Sequence, residues 1–175
     1  VMKHILLVVD MQKDFIDGSL GTAEAQAVVG PAAQKIRAFD GPIFVTQDTH
    51  FADYLDTPEG RKLPVPHCIK DTPGWQLDAA IAEALTGKTF RRIEKLSFGD
   101  PSLPFLIREA VGEEDFSVEL IGLCTDICVI VNALLLKTHF PDKEIIVDPS
   151  CCAGVTPATH EAALTVMRQC QITLR

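Results

Sequence analysis

Short apolar runs alternate along the chain with stretches whose apolar residues recur at helical spacing. His4–Val9, Ile43–Thr46, Val118–Ile121 and Glu144–Val147 are continuous in hydrophobicity, as strands buried on both faces are. Arg91–Ile93 and Gln171–Leu174 are weaker strands at the third and last positions. Between them, Ala23–Phe39, Gly74–Leu85, Leu103–Val111, Asp126–Thr138 and Pro157–Cys170 carry the spacing of amphipathic helices. Thr156 before Pro157 predicts a helix start, with a hydroxyl cap and a first residue whose ring already has helical φ. Asp100-Pro101 likewise opens a turn into a helix. Strand–helix alternation of this kind predicts an α/β fold, a mainly parallel sheet with helices on both faces. No repeat, linker or low-complexity segment divides residues 1–175, which read as a single domain. The longest stretch without an element runs from Gln47 to about Thr72, and a loop that long in a compact domain is usually functional.

Open parallel sheets bind ligands at the carboxyl ends of their strands. Here those ends are strongly polar. The first strand stops at Asp10, the second runs into Asp48 and His50, the third into Glu94 and Lys95, and the fourth into Cys124, Thr125, Asp126 and Cys128. Cys128, in GLCTDICV, falls in the first turn of a helix, where backbone amides stabilise a thiolate and can donate to an oxyanion. A buried cysteine is ordinarily a small packing residue. The position of this one at the active edge favours a nucleophile, with Cys124 on the pocket wall.

Asp10 closes the run ILLVVD, a costly place for a carboxylate unless it is paired or functional. It could cap a loop, or it could deprotonate the thiol. Lys95 could be a solvated surface lysine, or it could hold that carboxylate ionised and favour the thiolate. Asp48 and His50, two apart on an extended segment, point to one side; Glu59 in TPEG and His67 in PVPHC can complete a divalent metal site with them. His4, His139 and His160 lack such neighbours and read as structural or exposed.

Composition narrows the partners. A formal charge of -8 without a basic cluster argues against nucleic acid. The first apolar run, Ile5–Val9, is too short for a signal peptide or a membrane span, and no longer run occurs later; a cytoplasmic location without membrane attachment is expected. The six cysteines follow no regular loop spacing, so they are expected to be reduced and mostly buried.

Six segments then resemble one family. They are ILLVVDMQKDF (Ile5–Phe15), QDTH (Gln47–His50), PVPHC (Pro64–Cys68), IEKLSFG (Ile93–Gly99), IGLCTDICV (Ile121–Val129) and DPSCCAGVTPATHEAAL (Asp148–Leu164). In this order they resemble the isochorismatase-like cysteine hydrolases, and among them the nicotinamidase branch. The resemblance implies a three-layer, Rossmann-like α/β/α fold with a six-stranded sheet and a triad of Asp10, Lys95 and Cys128. The aspartate would accept the thiol proton, the thiol attack a carboxamide, ammonia leave an acyl-thioester, and water release the acid. It also implies a cis peptide at Leu123–Cys124 and an oxyanion hole from the amides of Cys124 and Cys128. Phe15, Leu123 and Cys124 would line the substrate pocket.

A divalent metal, zinc with iron or manganese as alternatives, would be held by Asp48, His50, Glu59 and His67 and would orient a pyridine ring. A homo-oligomer is expected as well. Two departures from the branch bear on substrate. Pro64 stands where an aromatic wall is common, leaving Phe15, with Phe51 or Tyr54 as substitutes; and KLSFG is a shortened segment. The expectation is thus a metal-assisted amidohydrolase of a small carboxamide such as nicotinamide. The alternatives are a carbamoyl or ureido substrate for the same triad, or a binding or thiol-sensing protein in which Cys151-Cys152 is the working feature.

Overall fold

The computed structural model describes residues 2–175. Six strands form one parallel sheet: β1 (Lys3–Val9), β2 (Ile43–Asp48), β3 (Phe90–Lys95), β4 (Phe116–Leu123), β5 (Glu144–Ala153) and β6 (Thr173–Leu174). Their order is β3-β2-β1-β4-β5-β6. The helices are α1 (Lys13–Ile16), α2 (Ala23–Ala38), α3 (Pro58–Lys62), α4 (Ala79–Ala84), α5 (Leu103–Val111), α6 (Ile130–His139) and α7 (Pro157–Gln169).

Alternation along β1 explains its unbroken hydrophobicity. Ile5, Leu7 and Val9 pack into a core with α5, α6 and α7, whereas Leu6 and Val8 enter a second core with α2 and α4. Both faces are dry, so every position of the strand is apolar. Truncating one of these leucines to alanine should cost about 2–5 kcal/mol. The chain leaves β1 toward β2 on one side and returns to β4 on the other, so the crossovers part at the carboxyl ends of β1 and β4. That divergence opens the crevice in which such sheets hold ligands.

Several boundaries differ from the sequence-based expectation. β5 continues past Val147 to Ala153, because a register shift opposite Leu120–Gly122 lets it pass the polar Asp148-Pro149-Ser150 without leaving the sheet. Gly122 has φ +121°, and a Cβ there would sit 2.1 Å from the Val9 carbonyl oxygen; only glycine lets β4 approach β1 at this point. The helix expected from Gly74 begins at Ala79, where the Asp78 side chain caps it by accepting from the amide of Ala80 at 2.9 Å. Pro73–Trp75 is instead one tight 3-10 turn. The helix expected from Asp126 divides into a wide π turn, Thr125–Val129, and α6. α7 starts as predicted, with Thr156 accepting from the amide of Thr159 at 3.1 Å.

Cys151 faces the α2 side of the sheet and Cys152 the opposite core, and both are free thiols. Adjacent in sequence, they lie on opposite faces of one strand. No helix among the described residues is long and apolar enough to cross a membrane.

Candidate active site

The carboxyl ends of β1, β2, β3 and β4 bring the expected residues together. Lys95, the last residue of β3, is fully buried, which is rare for lysine unless it is paired. Its ammonium lies 2.7 Å from Asp10 Oδ2, 3.2 Å from Asp48 Oδ1 and 3.3 Å from Cys128 Sγ, and donates to the Ser97 carbonyl at 3.2 Å. One cation thus joins Asp10, the Cys128 thiol and the first residue of the metal-type cluster.

Asp10 sits just past β1 with φ +49°. Its Oδ1 accepts from the Thr46 hydroxyl at 2.7 Å, and that hydroxyl accepts the Asp10 amide at 3.2 Å, fixing the carboxylate plane. Oδ2 meets Lys95 and accepts no aligned hydrogen bond, so it is the oxygen with a lone pair to spare for a proton. The two carboxylates that share Lys95 differ in basicity. Burial raises the Asp10 carboxyl above its ordinary range, against the pull of Lys95. Burial pushes Asp48 the same way, but hydrogen bonds from His50 and His67 and the Lys95 charge outweigh it and hold that group well below the usual carboxylate range. Asp10 is thus the more basic of the two carboxylates. Burial would neutralise Lys95, yet the charges of Asp10 and Asp48 keep it an ammonium.

Cys128 lies within the π turn. Burial, followed by the negative charge of Asp10, pushes its thiol well up, with Lys95 opposing. Burial likewise lifts Cys124 to about 12 and Cys151 to about 11, and Cys68 and Cys152 rise strongly for the same reason. The Leu123–Cys124 bond is cis, as the resemblance implied. No backbone carbonyl among the described residues takes up the Cys124 amide, whereas the Cys124 carbonyl accepts from Ile127 at 3.1 Å and Val129 at 3.0 Å.

Asp48, His50, Glu59 and His67 each offer a ligand atom, all within 4.8 Å of one another. His67 Nδ1 lies 2.8 Å from the Val65 carbonyl, which can only accept. Nδ1 therefore carries a proton, and Nε2 faces Asp48 Oδ2 at 3.6 Å and Glu59 Oε1 at 4.0 Å. A histidine whose far nitrogen is tied to a carbonyl is oriented as metal-binding histidines are. His50 Nε2 points into the same space, 3.0 Å from Asp48 Oδ2 and 3.6 Å from Glu59 Oε1. Tyr54 presses its ring edgewise on both imidazoles. Two imidazoles and two carboxylates suit a first-row divalent cation.

A cavity of about 530 Å³ opens beside Cys128, Asp48, Glu59 and His67. Phe15 and Cys124 line it as expected. Leu123 does not: its side chain is fully buried in the α2-side core, because the strand turns it away from the crevice, and the pocket position expected for it passes to Ile127 in the π turn. Neither Phe51 nor Tyr54 replaces the missing aromatic wall. Phe51 is exposed elsewhere and Tyr54 is buried against the histidines. Leu63 and Phe98 line the cavity instead.

Two buried amides escaped the sequence reading. Gln12 donates to the Asp48 carbonyl at 2.9 Å and the Trp75 carbonyl at 3.0 Å, and accepts the Asp48 amide at 2.8 Å, so it fixes the backbone of Asp48. Asn132, on α6, donates to the carbonyls of Cys128 at 2.8 Å and Phe98 at 3.1 Å and accepts the amide of Asp100 at 3.0 Å. It brackets the nucleophile turn to the loop that follows Lys95. The signal for Asn132 was a polar residue inside an otherwise apolar stretch; Gln12, among Asp10, Lys13 and Asp14, carried none. His160, read as structural or exposed, hydrogen-bonds Thr125 Oγ1 at 2.7 Å and supports the π turn from α7.

Comparison with known proteins accords with this geometry. The family model described as the isochorismatase domain matches residues 4–175. No curated protein matches the sequence. Among solved structures, a nicotinamidase/pyrazinamidase from Bacillus subtilis superposes with a TM-score of 0.85 at 26% identity, covering 99% of each chain. An N-carbamoylsarcosine amidase from Thermoplasma acidophilum gives a TM-score of 0.79 at 29% identity over 99% of this chain and 96% of that one. A pyrazinamidase from Pyrococcus horikoshii, solved in complex with zinc, shares the fold at a TM-score of 0.80 and 24% identity, over 99% and 98% of the two chains. The chain belongs to the isochorismatase family, in its nicotinamidase-related branch.

Proposed function

We propose that this chain is a cysteine amidohydrolase that converts a small carboxamide to its acid and ammonia. The observation that carries this reading is the single buried ammonium of Lys95, held between Asp10 and the Cys128 sulfur beside an open cavity. The amidase likenesses on both sides of the substrate question support it.

In the proposed reaction the Cys128 sulfur attacks the amide carbon as Asp10 takes the thiol proton. A base raised toward neutrality by burial suits that transfer. Lys95 stays charged throughout and stabilises the sulfur as negative charge grows on it. The substrate oxygen, negative in the tetrahedral adduct, would accept from the amides of Cys124 and Cys128. Asp10 returns its proton to the nitrogen, the carbon–nitrogen bond breaks and ammonia leaves. Water, deprotonated by Asp10, then attacks the thioester; the carbon–sulfur bond breaks and the thiol is restored. Asp48, His50, Glu59 and His67 would hold a divalent ion, zinc being the best match to this nitrogen–oxygen set, and when bound it would supply a Lewis-acidic anchor for a lone pair on the substrate.

Ammonia release from a panel of primary amides, beginning with nicotinamide, tests the proposal. Turnover should vanish in Cys128→Ala; turnover that survives in that variant refutes it. A second reading, a carbamoyl or ureido substrate for the same three residues, draws on the 29% identity to the carbamoylsarcosine amidase. Including N-carbamoyl amino acids in the panel separates the two.

A further inference from the structure

The cavity above Cys128 is larger and more apolar than a one-ring amide requires. Its volume of about 530 Å³ falls among the ~300–1,000 Å³ pockets that enclose drug-sized ligands. The polar groups on its wall that are buried, Asp48, His67 and Cys128, belong to the catalytic end. The accessible wall is different. Leu63 is 39% exposed, Leu96 68%, Phe98 44% and Val155 51%, and all four line this one cavity. They reach it from three separate segments: the end of α3, the loop after β3 and the loop between β5 and α7. Exposed apolar side chains scattered singly are ordinary, but several converging on one concavity mark a binding surface. Lys62 is the one accessible cation on the lining, too little to select a strongly acidic substrate in so apolar a setting.

We propose that the site takes primary amides whose acyl group carries an extended, uncharged apolar body, held by Leu63, Leu96 and Phe98 while the carboxamide meets Cys128. The chemistry of turnover rests on the amidohydrolase reading; the preference of the pocket does not.

The full-length protein should be assayed for ammonia release from nicotinamide, benzamide, 4-phenylbutyramide and an N-carbamoyl amino acid. The kcat/KM for 4-phenylbutyramide should exceed that for benzamide at least about tenfold, a ratio of the size that a few apolar carbons confer in a fitted pocket. Phe98→Ala and Leu63→Ala should each reduce that ratio several-fold. A ratio near one, or variants that leave it unchanged, overturns the proposal. So does a change of oligomeric state in these variants without a change of selectivity, which would make the apolar collar a contact between copies of the chain. If wild-type protein hydrolyses no amide, the amidohydrolase reading fails, and calorimetry on Cys128→Ala still decides the present one. 4-Phenylbutyramide must then bind more tightly than nicotinamide, and equal or weaker binding overturns it.

Discussion

Asn132 offers the sharpest test of how the site is assembled. Replacing it with leucine keeps the volume of the side chain but removes three hydrogen bonds. The Asp100 amide and the Cys128 carbonyl lose their partners in buried surroundings, while the Phe98 carbonyl is nearer to water. An unpartnered buried backbone group costs about 1–3 kcal/mol, so the two together cost about 2–6 kcal/mol. A domain of ordinary stability, about 5–15 kcal/mol, survives such a loss. For a chain of this length about 4 kcal/mol lowers Tm by about 8–16 °C. Thermal unfolding followed by circular dichroism measures that shift. Turnover adds an independent reading: with the nucleophile turn released from the loop after Lys95, kcat should fall while KM stays near its original value. A Tm within about 2 °C of wild type, or a rise in KM at constant kcat, would refute the reasoning.

Other consequences are as direct. Gly122→Ala should not yield folded protein, since φ is +121° and the added Cβ would lie 2.1 Å from a backbone oxygen of β1; a cooperative melt near that of wild type would contradict this. Zinc at one hundred times its Kd should stabilise the wild type by about 2.7 kcal/mol, a gain read by thermal shift and lost in His67→Ala. A shift retained in that variant would remove His67 from the ligand set. Burial resists ionisation of Asp148, but the hydrogen bond and charge of Lys35 and the Ser150 hydroxyl outweigh it and lower its pKa. Because the folded value lies below the unfolded one, this stabilisation is full above about pH 4 and is lost as the pH falls through the folded value. The Tm gap between wild type and Asp148→Asn should therefore be steady from neutral pH to about pH 5 and shrink in stronger acid; a gap that widened on acidification would show the opposite sign of coupling.

The strands that build the site were legible because their burial is two-sided. β1 and β4 have no solvent face, so their apolar runs announce them and the polar residues that end them. Asp10, Asp48 and Cys128 stood out for the same reason, as charges or a thiol placed where an apolar strand stops, whereas Lys95 ends the largely polar β3. What was hidden depends on contacts between distant segments. Asp148-Pro149-Ser150 interrupts the apolar pattern of β5, and only the register shift against β4 shows that the strand continues. The π turn has no distinct periodicity, since five residues are too few to separate it from the first turn of an α-helix. Leu123 was misplaced because the side on which a strand's last residue points is set by the register of the whole sheet. Gln12 and Asn132 act through the backbone of residues 36 and 4 positions away, and no side-chain pattern encodes such a role.

The position of Lys95 joins two sites that look separable on paper. Asp48 Oδ1 and Asp10 Oδ2 compete for the same ammonium, one oxygen from the Asp48–His50–Glu59–His67 cluster and one from the carboxylate beside the thiol. Any change in charge at the cluster therefore alters how far the ammonium is drawn from Asp10 and the sulfur. Thermodynamic linkage makes this reciprocal: whatever occupancy of the cluster does to the reactivity of Cys128, covalent capture of Cys128 must do in equal measure to the affinity of the cluster. An alkylating agent that stops at the sulfur would thus be felt as a shift in metal affinity without touching a ligand.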